Sequence, residues 1–134
     1  MIIRYAEMTD YPWLTEHEAF ITGEMLEQKI RLREIYMAVI DGCNAGWLRY
    51  NFFWDNVPFM NKLFLLKHYR RQGIGTALVR HWENEMKHRG YKHVMTSTLS
   101  TEDARHFFRK TGYTIIGGFT YMKDPFEMLL FKNL

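Results

Sequence analysis

One cysteine in 134 residues, Cys43, excludes an internal disulfide and matches a chain kept in a reducing cytoplasm. Uninterrupted apolar runs are only a few residues long, too short to span a bilayer, so no membrane partner is expected. The opening Met1-Ile2-Ile3-Arg4-Tyr5 has no basic region followed by an apolar core and a small-residue cleavage site, so no signal peptide is expected either. No His/Cys/Asp spacing matches a metal site, and no metal is expected. Repeats, linkers and low-complexity segments are all missing, which leaves one domain over residues 1–134 as the expectation.

What is present is a globular composition, 47% hydrophobic and 25% charged. The net charge of +3 is unevenly placed: residues 1–34 carry −3 and residues 62–110 carry +7. An acidic front suits a cationic amine, and a basic middle suits an anionic cofactor. The basic segment would also attract nucleic acid, but no recognition motif interleaves its charges, so no nucleic-acid partner is expected.

The chain divides into short alternating elements. Ile2–Tyr5 reads as a strand, with Thr9-Asp10 and Pro12 opening a helix. Residues 13–33 read as two short helices broken at Gly23. Residues 35–40 and 45–54 form a hairpin around Asp41-Gly42. Trp47, Arg49 and Asn51 are expected on its outer face, with Leu48, Tyr50 and Phe52 alternating. Residues 59–66 make a fourth strand, 73–89 a helix with Ile74, Ala77, Leu78, Trp82 and Met86 as core stripe, and 91–99 a strand. That crossover makes the strands ending near Leu66 and Leu99 parallel. Ser100 to Asp103 reads as a capping box for a helix over 101–111. Strands over 113–122, irregular at Gly117-Gly118, and 126–132 follow.

Between the fourth strand and the third helix runs Arg70-Arg71-Gln72-Gly73-Ile74-Gly75-Thr76-Ala77. Gly73 and Gly75 let backbone N–H groups approach a ligand closely. A helix start leaves its first N–H groups unpaired at the positive dipole end, which suits a diphosphate, and Arg70 and Arg71 add charge. The stretch has no Gly-Lys-Ser/Thr ending and no third glycine, so it fits neither a P-loop nor a dinucleotide fingerprint.

Arg70, Gly73 and Gly75 resemble the acyl-CoA loop Arg/Gln-x-x-Gly-x-Gly/Ala of the GNAT (Gcn5-related) N-acetyltransferases. A second stretch is similar to the same family's Ala-x-x-Phe/Leu-Tyr-x-Lys-x-Gly-Phe/Tyr signature: Ala104, Phe107, Lys110, Gly112 and Tyr113 match in register. The resemblance implies an α/β (α+β) fold, a mixed, mostly antiparallel sheet of six or seven strands with four helices. It implies acetyl transfer from acetyl-CoA to a primary amine, small or peptidic. Cofactor contacts would come from Arg70, Arg71, Gln72, Gly73, Ile74, Gly75 and Thr76, and from Thr101 and Phe108. Backbone N–H groups about Phe64, Leu65 and Leu66 would face the thioester oxygen, where this strand splays from the next in the family.

Two positions depart from the pattern. The tyrosine that in relatives protonates the departing thiolate is Phe108, which has no proton to give. The usual Asn at the helix start is Thr101. Substitute acids by residue type are Tyr121, Tyr50, Ser97 and Ser100. A base is needed because an alkylamine is protonated at neutral pH; Asp55, His68 and Glu16, Glu18, Glu24 and Glu27 qualify by type alone. Trp13, Trp47 and Trp54 are available to shape an acceptor pocket. An acyl-CoA sensor with weak or no catalysis is the competing reading, and the sheet's end strands offer pairing in a homodimer.

Overall fold

β-Branched and aromatic stretches form the strands, and capped amphipathic stretches form the helices. The computed structural model describes residues 1–134. The strands are β1 (Ile2–Tyr5), β2 (Ile35–Ile40), β3 (Cys43–Phe53), β4 (Val57–Leu65), β5 (His93–Leu99), β6 (Thr114–Phe119) and β7 (Glu127–Asn133). The helices are α1 (Tyr11–His17), α2 (Gly23–Arg31), α3 (Ile74–His88) and α4 (Ala104–Lys110). Strand order is β1-β2-β3-β4-β5-β7-β6. β4 and β5 are parallel, joined through α3; β1–β2, β2–β3, β5–β7 and β6–β7 are antiparallel. The expected mixed sheet of six or seven strands with four helices is therefore present, with seven strands.

Two compact units divide these elements: residues 1–49 with 62–78, and residues 50–61 with 79–134. In the first, Ala6, Leu14, Leu26, Ile30, Ile35, Met37 and Trp47 make the core. Trp47 was expected to face outward, yet it is 1% exposed. Alternation misleads here because β3 is covered on both faces, Leu48 being buried as well. The Trp13 ring meets Trp47 edge-on, with centroids 5.7 Å apart. The Asp10 carboxylate does not cap α1; it accepts the Glu7 N–H at 2.8 Å and pairs with Arg4 at 2.7 Å. The break between α1 and α2 is residues 18–22, and Gly23 opens α2, capped by the Thr22 hydroxyl. Asp41 (φ 49°) and Gly42 (φ 77°) form the tight turn between β2 and β3.

Gly46 of β3 sits against the end of β4. A Cβ there would collide with the Phe64 carbonyl oxygen and the Leu65 side chain. The missing side chain lets β3 hold the segment that leads into the glycine loop.

In the second unit Trp82, Met86, Val94, Phe108 and Leu130 are buried. Tyr113 donates its hydroxyl proton to Glu83 at 2.7 Å, and Lys132 pairs with the other Glu83 oxygen at 3.0 Å. Burial, the Glu83 charge and this hydrogen bond push the Tyr113 hydroxyl far above its ordinary pKa. The expected capping box at Ser100 does not form: α4 starts at Ala104, and Asp103 makes no side-chain cap. Glu102 is turned towards the Thr98 hydroxyl instead, at 3.5 Å. The expected irregularity in β6 is a register shift between Ile115 and Gly117.

Gly46→Ala should destabilise the protein by about 1–3 kcal/mol, the range for overpacking a tight contact. Urea unfolding measures it, and an unchanged midpoint would mean that β4 does not lean on this glycine.

Candidate functional site

The loop between β4 and α3 lies wholly in the first unit. Lys67–Tyr69 forms one tight 3₁₀ turn after β4. Two side chains then brace the backbone. Arg70 donates Nε–H to the Leu65 carbonyl at 2.9 Å, and Gln72 donates Nε2–H to the His68 carbonyl at 2.8 Å. Arg71 (φ 61°) and Gly73 (φ 81°) adopt left-handed backbone, a conformation from which anion nests are built. Ile74 is buried and pins the first turn of α3 to the core.

Arg71, Gln72 and Gly73 are exposed, and a Cβ at Gly73 would meet nothing within 4 Å. The loop is open to solvent, with unpaired helix-start N–H groups beneath it. The terminal guanidinium nitrogens of Arg70 lie beside the Phe64 ring, its Cζ 5.7 Å from the centroid, and make no protein hydrogen bond. These residues fit a diphosphate: fixed main-chain donors, positive dipole, two arginines and room above the glycine. Gly75 is less restrictive, since a Cβ there would make only ordinary contacts at 3.6 and 3.8 Å with Leu65 and Leu63.

At the end of β4, the Leu66 N–H is already donated to the Ala45 carbonyl of β3, at 2.9 Å. The Phe64 carbonyl also points at β3, against Gly46. By the alternation of an antiparallel ladder, the Leu65 N–H turns to the opposite edge. Of the three residues expected to offer an oxyanion donor, Leu65 is thus the one whose N–H faces away from β3. The Phe64 ring packs on Trp47 with centroids 4.6 Å apart.

Several expected residues lie elsewhere. Asp55 (φ 56°) is exposed in the turn before β4. His68 is exposed and packs on Tyr69; its carbonyl braces Gln72. Glu18 is buried and paired with Arg49 at 3.4 Å, and Glu27 is paired with Arg31, while Glu16 and Glu24 are exposed. Trp54 is exposed in the β3–β4 turn, and Trp47 is core. Tyr50 is buried and receives a hydrogen bond from Arg89 at 3.3 Å. Thr101 is exposed in the turn before α4. Phe108 is 5% exposed, its ring edge-on to Tyr113 with centroids 5.3 Å apart.

The second unit does bring two weak candidates together around a residue the sequence analysis missed. Leu99, Phe119, Tyr121, Asp124, Pro125 and Glu127 line a cleft of about 300 Å³. The Ser97 hydroxyl reaches Glu127 Oε1 at 3.5 Å. Glu127 Oε2 is buried without a hydrogen-bond partner. Burial first, then the charges of Glu102 and Asp124, raise the Glu127 carboxyl above its ordinary pKa, against the Ser97 hydrogen bond. The signal was there to see: one carboxylate at the start of the otherwise apolar run Phe126-Glu127-Met128-Leu129-Leu130. The described residues hold no group of three or more His, Cys, Asp or Glu able to bind a metal ion, and no helix is long and apolar enough to cross a membrane.

Comparison with solved structures finds the same fold at low sequence identity. Ard1 from Thermoplasma volcanium superposes with a TM-score of 0.85 at 15% identity, over 99% of this chain and 97% of that one. The ribosomal-protein-S18-alanine N-acetyltransferase of Escherichia coli gives 0.80 at 15% identity, over 98% and 92%. The PaiA N-acetyltransferase of Thermoplasma acidophilum, solved in complex with coenzyme A, gives 0.73 at 17% identity, over 99% and 98%. No curated protein matches the sequence. The family model for the acetyltransferase (GNAT) family matches residues 2–113, across both signature stretches, and the chain belongs to that family.

Proposed function

We propose that the chain is a single acetyltransferase domain that moves an acetyl group from acetyl-CoA to a primary amine, in a reducing compartment such as the cytoplasm. The observation that carries this reading is the glycine loop: left-handed Arg71 and Gly73 at the open start of a 15-residue helix, fixed by Arg70 and Gln72. Supporting it are the family match over residues 2–113 and the coenzyme A present in the PaiA neighbour. When bound, acetyl-CoA supplies the acyl group as a thioester. Arg70, Arg71, Gln72 and the N–H groups of Gly73 to Thr76 hold its diphosphate. Leu65 N–H is the main-chain donor that faces away from β3, and a preorganised donor of this kind stabilises charge that develops on a carbonyl oxygen. The exposed, unpaired Cys43 thiol fits a reducing compartment.

Position 108 supplies no proton in this scheme. Neither does Tyr113, whose hydroxyl proton is committed to Glu83 and held tightly by burial. A second reading, an acyl-CoA sensor without turnover, is favoured by that buried Phe108 alone.

Calorimetry with acetyl-CoA is the first test. Binding is expected, and none at millimolar cofactor would end both readings. Gly73→Ala should weaken binding about tenfold, because a side chain in left-handed backbone costs about 1–2 kcal/mol when the loop takes its binding shape. Gly75→Ala should leave affinity within about twofold, because its Cβ has room and its place in α3 needs no glycine conformation. Equal losses at the two positions would contradict the nest geometry.

Assayed for coenzyme A release across a panel of primary amines, the protein should turn over, and Phe108→Tyr should change kcat less than about threefold. A gain nearer the 10²–10⁴-fold typical of a positioned acid would instead mark a dormant site and favour the sensor.

A further inference from the structure

Glu127 opens β7, opposite Leu99 of β5 on one side and Phe119 of β6 on the other. It forms the polar floor of a cleft whose remaining walls are Leu99, Phe119, Tyr121, Pro125 and Asp124. No cation lines it, and its two charged residues are both acidic. Glu102, in the turn after β5, adds a third negative charge acting on Glu127, while Ser97 contributes only a hydroxyl at 3.5 Å. Glu127 Oε2 is buried and unpartnered, an arrangement that costs stability unless a ligand supplies the missing donor. The volume, about 300 Å³, is at the lower end of small-molecule sites.

We propose that this cleft binds the acceptor as a primary ammonium ion carrying an apolar substituent, with Glu127 as the ammonium's carboxylate partner. The proposal rests on the N-acetyltransferase reading for its consequence, but not for the binding itself. Each feature has a counterpart in such a ligand. The ammonium supplies hydrogen-bond donors to Oε2 and relieves the repulsion among Glu127, Glu102 and Asp124. Leu99, Phe119 and Pro125 take the apolar body, and the rings of Phe119 and Tyr121 favour a cation nearby. A polyamine would find acidic partners but would waste the apolar wall; a neutral lipid would leave the carboxylate unpaired.

The same contact handles the proton that the nitrogen must lose. One N–H bond of the ammonium breaks, the proton passes to Glu127 Oε2, and the electron pair stays on nitrogen, leaving the neutral amine. A carboxylate with a raised pKa is the better acceptor for this step, and burial with Glu102 and Asp124 raises it.

The probe is 2-phenylethylamine, with 2-phenylethanol as its uncharged analogue, bound to the whole protein and followed by NMR chemical shifts. The amine should bind at least about tenfold more tightly than the alcohol, as expected for a charge-assisted contact. Glu127→Gln should abolish that preference while leaving alcohol binding and acetyl-CoA calorimetry unchanged. Phe119→Ala should weaken amine and alcohol alike.

Amine affinity should rise as pH climbs through the Glu127 pKa, above the ordinary 4.5, and fall again as the amine itself deprotonates near ~10.4. The stability sign is the reverse. A carboxyl whose folded pKa is raised favours the folded state fully below 4.5 and loses that advantage as pH rises through the folded value. Glu127→Gln should therefore melt no lower than wild type at pH 7, which a purely structural role for Glu127 would not give.

Equal affinity for amine and alcohol, or undiminished amine binding by Glu127→Gln, would overturn the proposal. A wild type that binds the amine but no acetyl-CoA would overturn the acetyltransferase reading and leave the ammonium site standing.

Discussion

Two short braces fix the glycine loop to which we assign cofactor binding. Arg70 ties to the Leu65 carbonyl and Gln72 to the His68 carbonyl, and between them the backbone turns left-handed at Arg71 and again at Gly73. The result is a backbone turn held at both ends by side chains of its own loop. Preorganisation of this kind matters because ordering a loop at the moment of binding would cost about 1–2 kcal/mol per residue. Ile74 anchors one end of the loop in the core, and β3 holds the other through the Leu66 N–H and the side-chain-free Gly46.

Much of this was legible in the residues, for physical reasons that differ from element to element. Gly73 announced itself as a residue without Cβ where a strand turns into a helix, and the structure adds its left-handed backbone. The parallel pairing of β4 with β5 followed from a strand, helix, strand spacing that admits few topologies. Trp47 was misplaced because an alternating pattern presumes one wet face, and β3 has none at that point. The capping box at Ser100 failed because its residues found tertiary partners: Arg105 reaches the Ser100 carbonyl and Glu102 leans to Thr98. Local capping energies of about 1 kcal/mol lose readily to such competition. Glu127 was not singled out because its meaning lies in what surrounds it, namely Glu102, Asp124 and Ser97 from other elements.

The departures from the family pattern are as informative as the matches. Phe108 is packed in the core, and Tyr113 beside it is locked to Glu83 and Lys132. That corner of the second unit is a structural cluster, tying the segment after α4 and β7 to Glu83 of α3. The polar chemistry of the same unit is gathered instead at the start of β7, where a carboxylate, a serine hydroxyl and a tyrosine share one neighbourhood. The first unit holds the loop with left-handed Arg71 and Gly73, and the second holds an acidic, apolar-walled cleft.

Amide chemical shifts during titration with coenzyme A offer the most direct check on the nest. The account predicts that the N–H signals of Gly73, Ile74, Gly75 and Leu65 move first and furthest, saturating together. Shifts confined to surface lysines and arginines, with those four amides unmoved, would contradict it.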